Sequence, residues 1–305
     1  MFGEIFKRKR NLKQITIAKR VEGVGIGLHK GEPIKLILEP LEADSGIVFY
    51  RSDLGFSFKA TPQNVVNTQM ATVVGNEKGF VSTIEHILSA INSYGIDNIR
   101  IIVDANEIPV MDGSAISFCM LLDEAGTKKL DEDKKAIIIK QSVEVRENDK
   151  FVRLSPSKNP KFDYTIEFSH PLIGRQNFVF EFGKKNYLKE IARARTFGFL
   201  KDVQMLRSMN LALGGSLENA VVIDDTRILN PEGLRYENEF VRHKILDAIG
   251  DLSLMGAPIL GDYTAYAGSH DLNHKLTKAV FSDAKNYEIV SLNEEIVRAY
   301  SKVFA

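Results

Sequence analysis

With one cysteine, Cys119, the chain can form no disulfide of its own and supplies no thiolate cluster for a metal. That residue sits in the apolar run Ser117-Phe118-Cys119-Met120-Leu121-Leu122 and is expected in the core. Neither sign of charge is in excess, since 40 basic residues face 40 acidic ones. Whole-chain electrostatics therefore gives no reason to expect nucleic acid or an anionic membrane as partner, and any anion site must be local. No run approaches the ~20 apolar residues of a membrane span. The start, MFGEIFKRKRNLKQ, is basic but lacks the apolar segment of a signal peptide. A cytoplasmic address without stable membrane insertion is the expectation, with the KRKR cluster at 7–10 read as a solvated terminus. Proline and glycine, at 9 and 22 in 305 residues, are too few for a disordered or fibrous chain. At this length a single core tends to divide, so two domains are expected.

What is present is ordered in two similar halves. Residues 14–58 hold short β-rich runs broken by Gly, Pro and Asp, among them Ile15-Thr16-Ile17, Lys35-Leu36-Ile37-Leu38 and Ile47-Val48-Phe49-Tyr50. In 82–95, Ile84, Ile87, Leu88 and Ile91 follow helical spacing, and Gly95 offers a stop. A strand is predicted at 98–103 and a second helix at 114–125. The charged stretch 126–135 has little to bury, which places a linker at 129–135 between domains 1–128 and 136–305. The second half then predicts strands near 136–145, 151–154, 164–168 and 177–182, a helix over 240–254 and a strand over 261–267. Glu85-His86-Ile87-Leu88-Ser89-Ala90-Ile91 matches Arg242-His243-Lys244-Ile245-Leu246-Asp247-Ala248-Ile249 with one inserted residue, and each match precedes a strand. A duplicated α+β unit, its helices on one face of a mainly antiparallel sheet, accounts for this. Helix-to-helix packing of the halves would bring His86 to His243.

Without thiolates, a metal must be held by imidazole and carboxylate, and there are six histidines: His29, His86, His170, His243, His270 and His274. His243 and Asp247 are four apart on a predicted helix, one face toward a single ion, and Asp251 continues that face. The same spacing also suits a surface ion pair. His86 adds a third ligand, and three ligands with an open position is a catalytic pattern. Glu85 reads in two ways, as the closing carboxylate of a capping box Ser82-x-x-Glu85 or as a base that takes a proton from metal-activated water; both put it at an exposed helix end. His270 follows a predicted strand, and with Asp251 as partner it is suited to remain protonated as a general acid.

Beyond these residues the chain resembles the UDP-3-O-acyl-N-acetylglucosamine deacetylase family of lipid A (lipopolysaccharide) biosynthesis in Gram-negative bacteria. The resemblance rests on GVGIGLHKG (23–31), STIEHILSA (82–90), GIDNIRIIV (95–103), EIPVMDGSA (107–115), RARTFGF (193–199), LGGSLENAVV (213–222), FVRHKILDAIGDL (240–252) and TAY with HDLNHKL (264–276), in order. It implies an α+β fold of two similar two-layer α/β sandwich domains with helices packed between the sheets. It implies one zinc held by His86, His243 and Asp247, Glu85 as general base, and His270 as general acid oriented by Asp251. Thr196 would stabilise the oxyanion, Lys244 would meet the nucleotide diphosphate, and Phe197 and Asp202 would touch the sugar nucleotide. A UDP-linked acylated glucosamine would be the substrate, losing its N-acetyl group as acetate, and the chain is expected to act as a monomer. The insert at about 197–222, with Phe199, Leu200, Met205, Leu206, Met209, Leu211 and Leu213, would form the acyl passage. Helical spacing of Val203, Leu206, Met209 and Leu213 equally suits ordinary core. Ser269 stands where the family usually has glycine before the catalytic histidine, which bears on the freedom of that loop. His29 and Asp112 also match, the first as possible support to the site, the second explained by a turn into a helix. Rival readings are a zinc amidohydrolase for another N-acetyl sugar and a non-catalytic binder of lipid or nucleotide-sugar. Iron or cobalt would suit the same ligands.

Overall fold

A computed structural model describes residues 11–300, so the basic run at 7–10 lies outside the described residues. Two five-stranded sheets dominate. The first has the spatial order Val21–Ile26, Pro33–Pro40, Ile99–Val103, Ile47–Arg51, Phe56–Lys59, and the second Val143–Glu147, Lys150–Ser155, Asp262–Tyr266, Lys161–Glu167, Arg175–Glu181. In each the central strand is antiparallel to one neighbour and parallel to the other. In each it is also the last of the five in sequence and follows a long buried helix. Identical topology in the two halves accounts for the repeat visible in the sequence.

Six helices are named in chain order: α1 (Glu85–Ser93), α2 (Ile116–Ala125), α3 (Lys184–Glu190), α4 (Leu200–Ser208), α5 (Glu239–Ser253) and α6 (His270–Phe281). The strands alternate in the manner of sheets with one covered face. Ile34, Leu36 and Leu38 are buried on one side, as are Val152 and Leu154. These side chains share one apolar core with Ile87, Leu88 and Ile91 of α1 and Phe240, Leu246 and Ile249 of α5, so the helices lie between the two sheets. Helix α1 is buried on nearly every side, Ser89 and Ala90 included, because a sheet covers one face and α5 another. The backbones of the two helices touch: a Cβ on Gly250 would lie 2.0 Å from the Glu85 carbonyl oxygen.

Three local expectations need correction. The stretch 129–135 is not a bare linker, because Thr127–Asp133 is an exposed strand paired antiparallel with Lys13–Ile17; backbone pairing needs no apolar side chains. The strand expected over 136–145 is two, Lys135–Ile139 and Val143–Glu147, in different sheets. The first helix begins at Glu85 rather than Ser82, since Thr83 has φ 58° and Ser82 pairs through its backbone with Asn106 and Ile108. The capping box therefore does not form. Sequence periodicity also gave no sign of the small sheet Val65–Asn67, Val73–Asn76, Gly79–Val81, whose strands are three or four residues long. Cys119 is buried as expected, and no helix of the described residues is long and apolar enough to cross a membrane.

Candidate active site

Packing of α1 on α5 brings the two matched histidines together, with ring centroids 5.0 Å apart and planes at 88°. His86 Nε2 and His243 Nε2 lie 3.6 and 3.3 Å from the same atom, Asp247 Oδ1. All three residues are at most 4% exposed, which rules out the surface ion pair. His243 Nδ1 must carry its proton toward the Ala194 carbonyl oxygen, 3.1 Å away, leaving the Nε2 lone pair for the cluster. Burial presses this imidazole to about 3, so it is neutral near pH 7. Asp247 Oδ1 has no hydrogen-bond donor, a costly state for a buried carboxylate oxygen unless a cation fills the gap. Its other oxygen accepts from Lys244 Nζ at 2.7 Å. Burial alone would raise the Asp247 pKa, but His243 and Lys244 outweigh it and hold the carboxyl well below its ordinary value. The ligand atoms lie within 4.8 Å of one another, so the donor set fits a divalent cation.

Beside this trio stands a second one. His270 Nδ1 is 2.9 Å from Asp251 Oδ2, and His270 Nε2 is 3.9 Å from Glu85 Oε1. Burial disfavours the imidazolium, but Asp251 and then Glu85 outweigh it and push His270 up to about 9. Burial raises the Glu85 pKa, against the pull of His270 and His86. At 3% exposure Glu85 is not at an exposed helix end as expected, but in the floor of the site. Asp251 Oδ2 also accepts from Asn273 Nδ2 at 2.8 Å, and Tyr263 in turn bonds Asn273 at 2.6 Å.

The members of both trios other than Asp251 line a cleft of about 480 Å³ between the halves, as do Thr196, Phe197, Asp202 and Lys244. Phe197 lies edge-on to His243, centroids 6.3 Å apart. The insert is divided: Phe197, Phe199 and Asp202 line the cleft, no residue of α4 is buried, Met205, Met209, Leu213 and Leu217 are exposed, and Val221 and Val222 at its end are core.

These features coincide with known proteins along almost the whole chain. A family model described as UDP-3-O-acyl N-acetylglycosamine deacetylase matches residues 14–282. The chain belongs to this family. The UDP-3-O-acyl-N-acetylglucosamine deacetylase of Campylobacter hominis is 78% identical over 294 residues, covering 96% of this chain and 100% of the relative. Those of Campylobacter fetus subsp. fetus and Campylobacter jejuni, with the same coverage, are 76% and 68% identical.

Ser269, the departure from the deacetylase pattern, changes little in the loop. Its φ is −144°, extended backbone open to any residue, and its hydroxyl accepts from Leu272 N as the cap of α6. The demand for glycine falls one residue earlier, where a Cβ on Gly268 would meet Tyr164 Oη at 2.7 Å. His29 lies outside the cleft, in a neighbouring cavity of about 250 Å³ that shares Met70 and Ala71 with it. Asp112 is held by Ser114 and Arg235, and a Cβ on Gly113 would lie 1.9 Å from Asn219 O, so this turn clamps the base of the insert. Thr72, Asn273, Lys150 and Phe168 reach the site without having been singled out in the sequence. Asn273, three residues after His270 on a helix, was the one with a readable signal. Thr72 sits in a short irregular connection that carries none, and Lys150 opens the strand Lys150–Ser155, where no spacing marks it.

Proposed function

We propose that this deacetylase uses zinc to hydrolyse the acetamide of UDP-3-O-(3-hydroxyacyl)-N-acetylglucosamine, releasing acetate and the free amine for lipid A biosynthesis. The observation that carries the reading is the orphaned Asp247 oxygen facing two imidazole Nε2 atoms, next to a carboxylate and an imidazolium-forming pair. His86, His243 and Asp247 would hold the zinc, which when bound would supply Lewis-acid chemistry of the kind that lowers the pKa of water to about 7 and polarises a carbonyl. Glu85 accepts the proton as water oxygen adds to the carbonyl carbon. Thr196, on the cleft wall, is suited to donate to the oxygen on which charge develops. His270 gives its Nε2 proton to the sugar nitrogen as the C–N bond breaks, while Asp251 fixes the ring through Nδ1. Lys244, Phe197 and Asp202 would bind the nucleotide sugar, and the exposed apolar side chains of the insert would receive the acyl chain.

The test is acetate release from the acylated UDP-sugar before chelation, after it, and with zinc restored. Activity that vanishes with chelator and returns with zinc is expected. Silence from folded, zinc-loaded protein, or equal turnover of UDP-N-acetylglucosamine without its acyl chain, would refute the assignment. The pH profile provides a further check. The acid must be protonated, so kcat/KM is expected to fall as pH rises through about 9, the value to which His270 is pushed. The base must be ionised, so the acidic limb should lie above the ordinary carboxylate range, in the direction burial moves Glu85. His270→Gln should abolish the basic limb; its persistence would show that another group is the acid.

A further inference from the structure

Glu85 and the Asp251–His270 pair come from different halves of the molecule, yet acid and base must stand at a fixed separation for one substrate nitrogen and one water. Thr72, 1% exposed, joins them. Its hydroxyl donates to Asp251 Oδ1 at 2.5 Å, and its backbone N–H donates to Glu85 Oε2 at 3.1 Å. These bonds take the far oxygen of each carboxylate. Glu85 Oε1 is left toward His270 Nε2, and Asp251 Oδ2 toward His270 Nδ1 and Asn273. The Thr72 carbonyl accepts from Ile84 N, at the turn into α1, so every backbone and side-chain polar group of this residue is used on the elements that carry catalysis. Four residues earlier, Thr68 Oγ1 donates to Asp271, the neighbour of His270, at 3.2 Å. The segment 68–72 is thus tied twice to the second half, and Met70 and Ala71 between the ties line the cleft.

We propose that Thr72 is a positioning residue for the deacetylase reaction: through one hydroxyl and one amide it sets the orientation of both the general base and the aspartate that holds the general acid. The inference rests on the functional reading above. Its role is specific to the step in which protons move, since it makes no contact with the His86, His243, Asp247 trio among its hydrogen bonds.

Thr72→Val keeps the shape and the amide but removes the hydroxyl. Small displacements of catalytic groups cost up to ~100-fold, so kcat for acetate release is expected to fall ~10- to 100-fold with KM little changed and zinc content retained. Thr72→Ser restores the donor and should recover the greater part of the loss. In an Asp251→Asn background the same valine change should cost much less, because the partner is already altered. Thr72→Ala gives the same comparison if the valine variant does not fold. Wild-type turnover in Thr72→Val, equal losses in the serine and valine variants, or loss of zinc along with activity would each overturn the proposal. Failure of the zinc-loaded wild type to release acetate would instead overturn the functional reading beneath it.

Discussion

Glu85→Gln is expected to bind zinc as the wild type does and to lose ~10²- to 10⁴-fold of its kcat, the range that a positioned proton acceptor contributes. The glutamine is nearly the same size and keeps an oxygen to accept from the Thr72 amide, so the buried floor of the site stays filled. What it lacks is the ability to take a proton. The carboxylate is adjacent in sequence to the ligand His86 but lies outside the trio around Asp247 Oδ1, which is why metal content should not follow activity. Metal per chain and kcat on the acylated substrate, measured on the same preparation, decide the matter. A glutamine variant with wild-type turnover would mean that water loses its proton elsewhere, and one that loses zinc would mean that Glu85 supports the metal.

The opposite dissociation is expected for His243→Ala. This change removes one of two imidazoles facing the Asp247 oxygen and leaves that oxygen still buried and without a donor. Removing a mere supporting partner of a ligand typically costs 10- to 100-fold in metal affinity, so loss of a ligand itself should exceed about 100-fold and take turnover with it. Thermal unfolding offers a reading that does not depend on activity. Saturation at 100 times Kd stabilises a folded protein by about 2.7 kcal/mol, so added zinc should raise the wild-type midpoint and barely move that of the variant. An equal rise in both would remove His243 from the ligand set.

The residues of these two predictions differ in how far the chain alone reveals them. His243 and Asp247 announce themselves by a spacing of four within one helix, and the same rule places Asp251 one turn on. His86 carries no such signal alone. Its link to His243 came from the resemblance between two short segments, and that resemblance was informative because the halves share one topology. Glu85 illustrates the limit of local reading. Ser82-x-x-Glu85 has the form of a capping box, but the positive φ of Thr83 and the burial of α1 beneath α5 give the carboxylate another surrounding. Charge was equally poor guidance at 127–133, where a polar stretch forms a strand because strand Lys13–Ile17 provides the backbone partner. In the insert, periodicity was compatible with both core and cleft wall. The exposure of Met205 and Met209 argues against core for α4, while of the insert Phe197, Gly198, Phe199 and Asp202 line the cleft.

The exclusion of disulfides and thiolate clusters, the helical and strand periods, the repeat and the residue types able to hold a metal are all legible along the chain. These follow from composition and from spacing along one element, both of which are properties of the chain before it folds. Which groups meet is a matter of packing. The pairing of His86 with His243, the neutral state imposed on His243 by burial, the hydroxyl of Thr72 across the two halves and the orphaned oxygen of Asp247 all depend on contacts between residues far apart in the chain. Desolvation and hydrogen-bond geometry are set by what surrounds a group in three dimensions, and no one-dimensional spacing fixes that surrounding.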